Sequence, residues 1–205
     1  MPIVNDLSAS QQLKRATSSA HASLDQHPLL KALLDEGLSE VEYGAVLLAI
    51  EHWLALYLPH QLTHPNLDLQ NRGLKRHRWL LEDLKSLNIE QQKYSVQQPS
   101  SLPKNRAQTL GAIYVIEGSS MGGLFLAPRV ESALNRDDVT RFYKGFGKQT
   151  APLWRETQMI IDAELNHPEQ VSQAIEVANQ LFESMHKILD KIFNERFTLP
   201  GAVNG

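Results

Sequence analysis

The chain contains no cysteine in its 205 residues. That absence excludes a disulfide scaffold, thiolate zinc sites, iron–sulfur clusters and a cysteine nucleophile together. Strand-like alternation of apolar and polar residues is missing throughout, so nothing points to a sheet. Long hydrophobic runs are missing too: the longest covers residues 45–50, far short of the roughly 20 residues that a bilayer requires. The first eight residues lack the basic and apolar regions of a secretory signal. Charge of one sign is not in excess, the net charge being −3, which argues against nucleic-acid and membrane-surface partners. What is present is 42% hydrophobic and 21% charged residues, enough apolar side chains for a real core with an ordinary charged surface. The expectation is a cytoplasmic protein with no membrane contact, one domain across 1–205 with loose termini at 1–7 and 198–205.

Helical signals recur along the chain. Ser8 or Ser10 can cap a first helix running to about Asp25, closed by His27 and Pro28. A short apolar piece covers 28–34. Ser39 and Glu42 form a capping box that opens a long apolar helix through Tyr43, Val46, Leu47, Ile50, Trp53, Leu54 and Tyr57, kinked or stopped near Pro59. A helix over 71–87 points Leu74, Trp79, Leu80 and Leu84 inward, and 88–103 reads as a loop. A glycine-bearing helix then runs to about Leu134. A short helix starts at Asp137 or Asp138 and ends at Gly145 and Gly147. Pro152 lies in the first turn of a helix that ends at 166–168. The last helix carries an unbroken apolar stripe from Val171 through Leu181, Phe182, Met185 and Leu189 to Phe193. The fold class is all-α, a multi-helix bundle around a central site.

The glycine-bearing helix is the anomaly. Leu110, Ile113, Tyr114, Glu117, Met121, Leu124 and Phe125 recur near one face at helical spacing. Gly118, Gly122 and Gly123 interrupt it, each about 1 kcal/mol worse than alanine in a helix interior. A bend and a bare backbone are what glycine offers, so that something flat can lie against the main chain. Close helix packing is the alternative explanation.

The first helix carries a second constellation: Lys14, Thr17, His21 and Asp25. Asp25 lies one turn beyond His21, close enough to hold one ring nitrogen and fix the tautomer that a metal-ligating imidazole needs. Leu13, Thr17, Ala20 and Leu24 set this face towards the core. Lys14, two turns before the histidine, could meet an anionic edge of the same ligand.

Residues 13–25 (LKRATSSAHASLD) resemble the proximal helix of heme oxygenases, residues 118–123 (GSSMGG) resemble their distal helix, and 153–155 (LWR) a segment whose arginine meets a heme propionate. The resemblance implies a heme oxygenase fold with heme between a proximal and a kinked distal helix. It implies His21 as the axial iron ligand, Asp25 beside it, and Lys14 and Arg155 at the propionates. Thr17, Tyr114 and Phe182 complete the implied heme contacts. Gly118, Ser119, Gly122 and Gly123 form the implied catalytic wall, which steers oxygen chemistry towards the porphyrin edge without a strong acid close by. Animal members carry an aspartate where Ser119 stands, and Trp53 falls where they have a tyrosine, so the proton route differs here. The implied activity cleaves heme, both cofactor and substrate, to biliverdin, CO and Fe²⁺ using O₂. An external electron donor, a reductase or ferredoxin, is required, because no flavin, nucleotide or iron–sulfur motif is present. A bilin-accepting photoreceptor is a further partner that such an activity could serve.

Two other classes compete. Glu164 with His167 and Glu183 with His186 fit Glu-x-x-His, the repeat of di-iron carboxylate bundles, although the first pair sits at a helix end and the second flanks the apolar stripe. A heme carrier or sensor of the same fold would use the same residues without cleavage. Thiamin-degrading helical enzymes of related architecture often use a cysteine, and this chain has none.

Overall fold

The computed structural model describes residues 7–90 and 102–198. Every regular element among them is helical: α1 (Ala9–Leu24), α2 (Pro28–Ala32), α3 (Glu40–Gln61), α4 (Leu67–Ser86), α5 (Arg106–Leu134), α6 (Arg141–Lys144), a 3₁₀ turn (Gly147–Gln149), α7 (Thr150–Glu164), α8 (Pro168–Phe193) and a closing π turn (Asn194–Thr198). Most of the loop expected over 88–103, and the termini 1–6 and 199–205, lie outside the described residues.

Local chemistry accounts for most starts and stops. Ser8, not Ser10, caps α1: its hydroxyl accepts from the Gln11 amide while the Gln11 side chain accepts from the Ser8 amide. Ser39 and Glu42 close the same reciprocal box on α3. Two orphan donors are satisfied at each start, worth about 1 kcal/mol apiece. Pro59 does not stop α3, which continues to Gln61. Asn88 takes a left-handed conformation after α4, φ 55°, and the Ile89 amide reaches back to the Leu84 carbonyl at 3.0 Å, a glycine-type ending made with asparagine.

α5 and α8 form the spine. Leu110, Ile113 and Ile116 of α5 and Ala174, Leu181, Ile188 and Leu189 of α8 are buried in one continuous core, with α1 and α3 packed on α8. Their close approach depends on Gly111, where a Cβ would stand 2.2 Å from the Ala174 carbonyl oxygen. By length and composition α3 and α5 could each cross a membrane, yet 67% and 50% of their apolar windows are buried against the other helices; a core helix meets the same description.

Several inward expectations are corrected. Leu74 is exposed, because the inward row of α4 runs through Leu69, Arg72, Arg76, Leu80, Asp83 and Leu84. Met121, Leu124 and Phe125 are exposed, Phe125 at 54%, so the apolar face of α5 leaves the core after Glu117. The short helix begins at Arg141 rather than at Asp137 or Asp138. Its own N-cap, Thr140, makes no capping bond. The buried Asp83 of α4 supplies one instead, accepting from the amides of Phe142 (2.8 Å) and Arg141 (3.0 Å). One helix thus caps another through space.

Candidate functional site

α1 and α7 run antiparallel, tied where Asp162 accepts from the Ser10 amide (2.7 Å) and hydroxyl (3.1 Å). From that tie, Thr17 and Trp154 lie seven and eight residues towards the same end, roughly 10 and 12 Å along the axes. Tyr114 of α5 joins them: its hydroxyl meets Thr17, and its ring stands 5.4 Å from that of Trp154. Burial pushes the Tyr114 phenol above its ordinary range, with the Thr17 bond opposing. Thr17 itself donates to the Leu13 carbonyl at 2.8 Å.

One turn beyond Thr17 stands His21. Its Nδ1 is 3.0 Å from Asp25 Oδ2, and its ring meets Phe182 of α8 edge-on at 5.5 Å. The side chain is 62% exposed, a correction to the reading that α1 turns it into the core; Leu13 and Thr17 are the buried members of that helix. With Nδ1 facing a carboxylate, Nε2 points away from the only hydrogen bond the ring makes among the described residues. That is the arrangement a metal-binding imidazole uses.

The three glycines of α5 divide by their surroundings. A Cβ on Gly123 would lie 2.6 Å from the Tyr143 carbonyl oxygen of α6, so Gly123 serves helix packing and faces away from the other two. At Gly118 it would meet the Trp154 ring at 3.3 Å. At Gly122 it would meet nothing within 4 Å. At 100° per residue, Tyr114, Gly118, Met121, Gly122 and Phe125 share one face about 100° wide. That face begins at the Thr17 contact and continues into exposed apolar side chains.

Ser119 turns about 100° from Gly118, towards α4, and is held there. Its hydroxyl donates to the Ile116 carbonyl (2.7 Å) and accepts from Arg76 Nη2 (3.0 Å). Arg76 is 2% exposed and also donates to the Ile116 carbonyl; its guanidinium lies 5.0 Å from the Phe142 ring. Burial pulls the Arg76 pKa down and Glu117 opposes the shift. Beside it, the buried Glu117 accepts from Gln61 Nε2 at 2.9 Å and lies 3.8 Å from Arg72 Nη1, which donates to the Leu153 carbonyl at 2.8 Å. The sequence reading missed Trp154 as a wall and this polar layer under α5. Its one signal was the run of charges on the inward row of α4.

Lys14 and Arg155 are both exposed, four and seven residues from the Ser10–Asp162 tie in the same direction, so their levels differ by only about 4–5 Å. Neither forms an ion pair with another described residue. The paired Glu-x-x-His residues are engaged elsewhere: Glu164 with Arg106 (2.6 Å) and His64 (3.3 Å), His186 with Asp190 (3.0 Å), Glu183 with Lys187 (2.6 Å). Among the described residues no three His, Asp or Glu side chains converge as metal ligands would. Trp53 is buried and donates to the Leu181 carbonyl at 3.0 Å.

Fold and site define an all-helical protein that sets an imidazole-bearing helix beside a glycine-bearing one. The heme oxygenase family model matches residues 7–191, and the chain belongs to that family. Among solved structures it is similar to the heme oxygenase of Neisseria meningitidis in NO- and CO-bound forms, with 20% identity over 96% of this chain and 98% of that one and a TM-score of 0.74. It is similar to heme oxygenase-1 of the cyanobacterium Synechocystis sp. PCC6803 in complex with heme, with 14% identity over 92% and 94% and a TM-score of 0.70. A domain of unknown function with a heme oxygenase-like fold from Shewanella denitrificans is 14% identical over 97% of each chain, with a TM-score of 0.72. No curated protein sequence matches the chain.

Proposed function

We propose that the protein cleaves heme to biliverdin, CO and Fe²⁺, using O₂ and electrons from a reductase or ferredoxin. The observation that carries the reading is Gly122. A helix interior tolerates glycine at about 1 kcal/mol, and no neighbour within 4 Å explains this one. Bare backbone beside the exposed Met121 and Phe125 suits a broad, flat, apolar ligand, and His21 supplies the imidazole that such a ligand's iron would take.

When bound, heme supplies the iron and conjugated ring that O₂ chemistry requires. The protein's part is to hold and direct it. His21 Nε2 would bind the iron while Asp25 fixes the tautomer at Nδ1. Thr17, Phe182 and Tyr114 would wall the heme; Gly122 would bring main chain where a side chain would stand off, with Trp154 packed on Gly118 beside it; Lys14 and Arg155 would meet the propionates, setting which ring edge faces the wall. Ser119 would manage protons through water. A cytoplasmic setting follows from the need for a soluble donor, and a bilin-accepting photoreceptor is one consumer of the product.

The test is a hemin titration followed by an electron donor under air, with catalase present to remove free peroxide. One-to-one Soret saturation, then loss of that band with growth of biliverdin absorption, is the expected result. Saturation without breakdown under several donors would make the protein a heme carrier or sensor. No saturation would overturn the heme reading.

A further inference from the structure

Sulfur is scarce in this chain, which has no cysteine and four methionines. Met1 lies outside the described residues, and Met185 is buried in the core. That leaves Met121 and Met159, exposed at 38% and 63%. With thiols absent, these two thioethers are the side chains most open to two-electron oxidation. They differ in where they stand. Met159 is on α7, outside the ligand face of α5. Met121 is on that face, one residue before Gly122 and about 4.5 Å along the axis from Gly118, with the exposed Phe125 one turn further on. A flat ligand laid against the bare backbone of Gly122 therefore passes over the Met121 thioether.

Building on the heme reading, we infer that Met121 is a peroxide-sensitive modification site, whose oxidation to the sulfoxide closes the glycine wall to heme. The oxidant is hydrogen peroxide, which leaves the protein when O₂ takes up two electrons and two protons without heme being cleaved. One peroxide oxygen bonds to a lone pair of the Met121 sulfur as the O–O bond breaks. The other oxygen departs as water with both protons, so sulfur loses two electrons and peroxide gains them. A polar, chiral sulfoxide then stands where a flexible apolar side chain stood. An apolar ring seated over it would have to strip water from the sulfoxide oxygen, which is costly unless a donor replaces that water. The neighbouring main chain supplies none, because amides inside α5 are spent on carbonyls four residues back. A seated heme covers the sulfur, so the modification falls on protein that turnover has emptied, and reduction of the sulfoxide reopens the wall.

The test treats the unliganded protein with hydrogen peroxide, quenches with catalase, maps the peptides by mass spectrometry and titrates with hemin. Met121 should gain one oxygen, and the hemin dissociation constant should rise about tenfold or more. Incubation with methionine sulfoxide reductases should reverse both changes. Met121→Leu, judged against its own untreated value, should bind hemin equally well before and after peroxide; leucine at this exposed helical position puts no strain on the fold. Met159→Leu should lose affinity as the parent does. No oxygen on Met121, an oxidised Met121 with undiminished affinity, or an equal loss in Met121→Leu would overturn the inference. So would protection by Met159→Leu. Failure of the untreated parent to bind hemin would instead overturn the heme reading itself, whatever the peptide map shows at Met121.

Discussion

Gly122 and Gly123 are neighbours in sequence with opposite surroundings: a Cβ on Gly123 would press to 2.6 Å against the Tyr143 carbonyl oxygen, while one on Gly122 would meet nothing within 4 Å. Substitution by alanine should therefore split them. Gly123→Ala should destabilise the protein by about 1–3 kcal/mol, because backbone on α6 must move. Gly122→Ala should leave it as stable or up to about 1 kcal/mol more stable without ligand, and Gly122→Leu should impair O₂-dependent turnover more than heme affinity. Thermal unfolding of both alanine variants, beside a hemin titration of Gly122→Leu, makes the comparison. Equal destabilisation by the two alanines would assign both glycines to packing.

His21 is exposed and, among the described residues, hydrogen-bonds only Asp25, so its removal should cost the fold little. His21→Ala is expected to unfold within about 0.5 kcal/mol of the parent yet to lose the histidine-ligated heme spectrum and turnover. Asp25→Ala should keep ligation and weaken heme binding by about 10–100-fold. An unaltered Soret spectrum in His21→Ala would place the axial ligand elsewhere.

Asp83 is completely buried and accepts from two amides of α6 and from Arg141 Nη1 at 3.1 Å. Asp83→Ala removes the acceptor from both amides, while Arg141 Nη1 keeps Ser86 Oγ and the Asp138 carbonyl, and should cost about 3 kcal/mol in urea unfolding. Because α6 is the surface against which Gly123 packs, amide exchange in 140–145 should accelerate in the same variant. A loss under about 1 kcal/mol would show that α6 needs no cap from α4.

His27 gives the fold a pH dependence. Its Nδ1 accepts from the Leu29 amide at 3.2 Å to cap α2, and the residue is 3% exposed. Burial lowers its pKa, with Asp190 opposing and His186 adding to the shift. A base whose folded-state pKa lies below its unfolded value of about 6.5 binds fewer protons when folded, so stability is held above that pH and falls as pH drops through the window below it. Urea midpoints between pH 7.5 and 5 should decline, and His27→Asn, which retains a capping acceptor, should flatten the decline. A His27→Asn profile parallel to the parent would assign the slope to other groups.

Much of this fold was legible in the residues. The box at Ser39 and the stripe of α8 are local signals, and local chemistry fixed them, as it fixed the cap at Ser8, one of two candidates; Pro168 read as the end of one helix and is in fact the first residue of the next. Periodicity could not tell where the apolar face of α5 stops meeting protein, because Met121 and Phe125 read the same whether a helix or a ligand covers them. Nor could it find partners for Arg76 or Asp83. Both sit on an inward row between leucines, where the sequence marks a charge as misplaced; the bonds that make burial tolerable come from residues 43 and 58 positions away. His21, Asp25 and Gly118 were picked out by spacing, whereas Trp154, the side chain that separates Gly118 from open surface, stood unremarked between two residues that were noticed.

α5 is a beam pinned at two supports. At Gly111 it rests on the backbone of α8 and at Gly123 on that of α6, about 18 Å apart along its axis. Gly118 and Gly122 belong to the span between and just before the second support; the Trp154 ring stands against Gly118, and a Cβ at Gly122 would meet nothing within 4 Å. A beam loaded between fixed ends deflects most in mid-span and least at its bearings. The distance between Gly118 and the Trp154 ring is thus governed by the two bearings. Thickening either by one methyl group would tilt the span and reset the gap without touching a residue that faces the ligand.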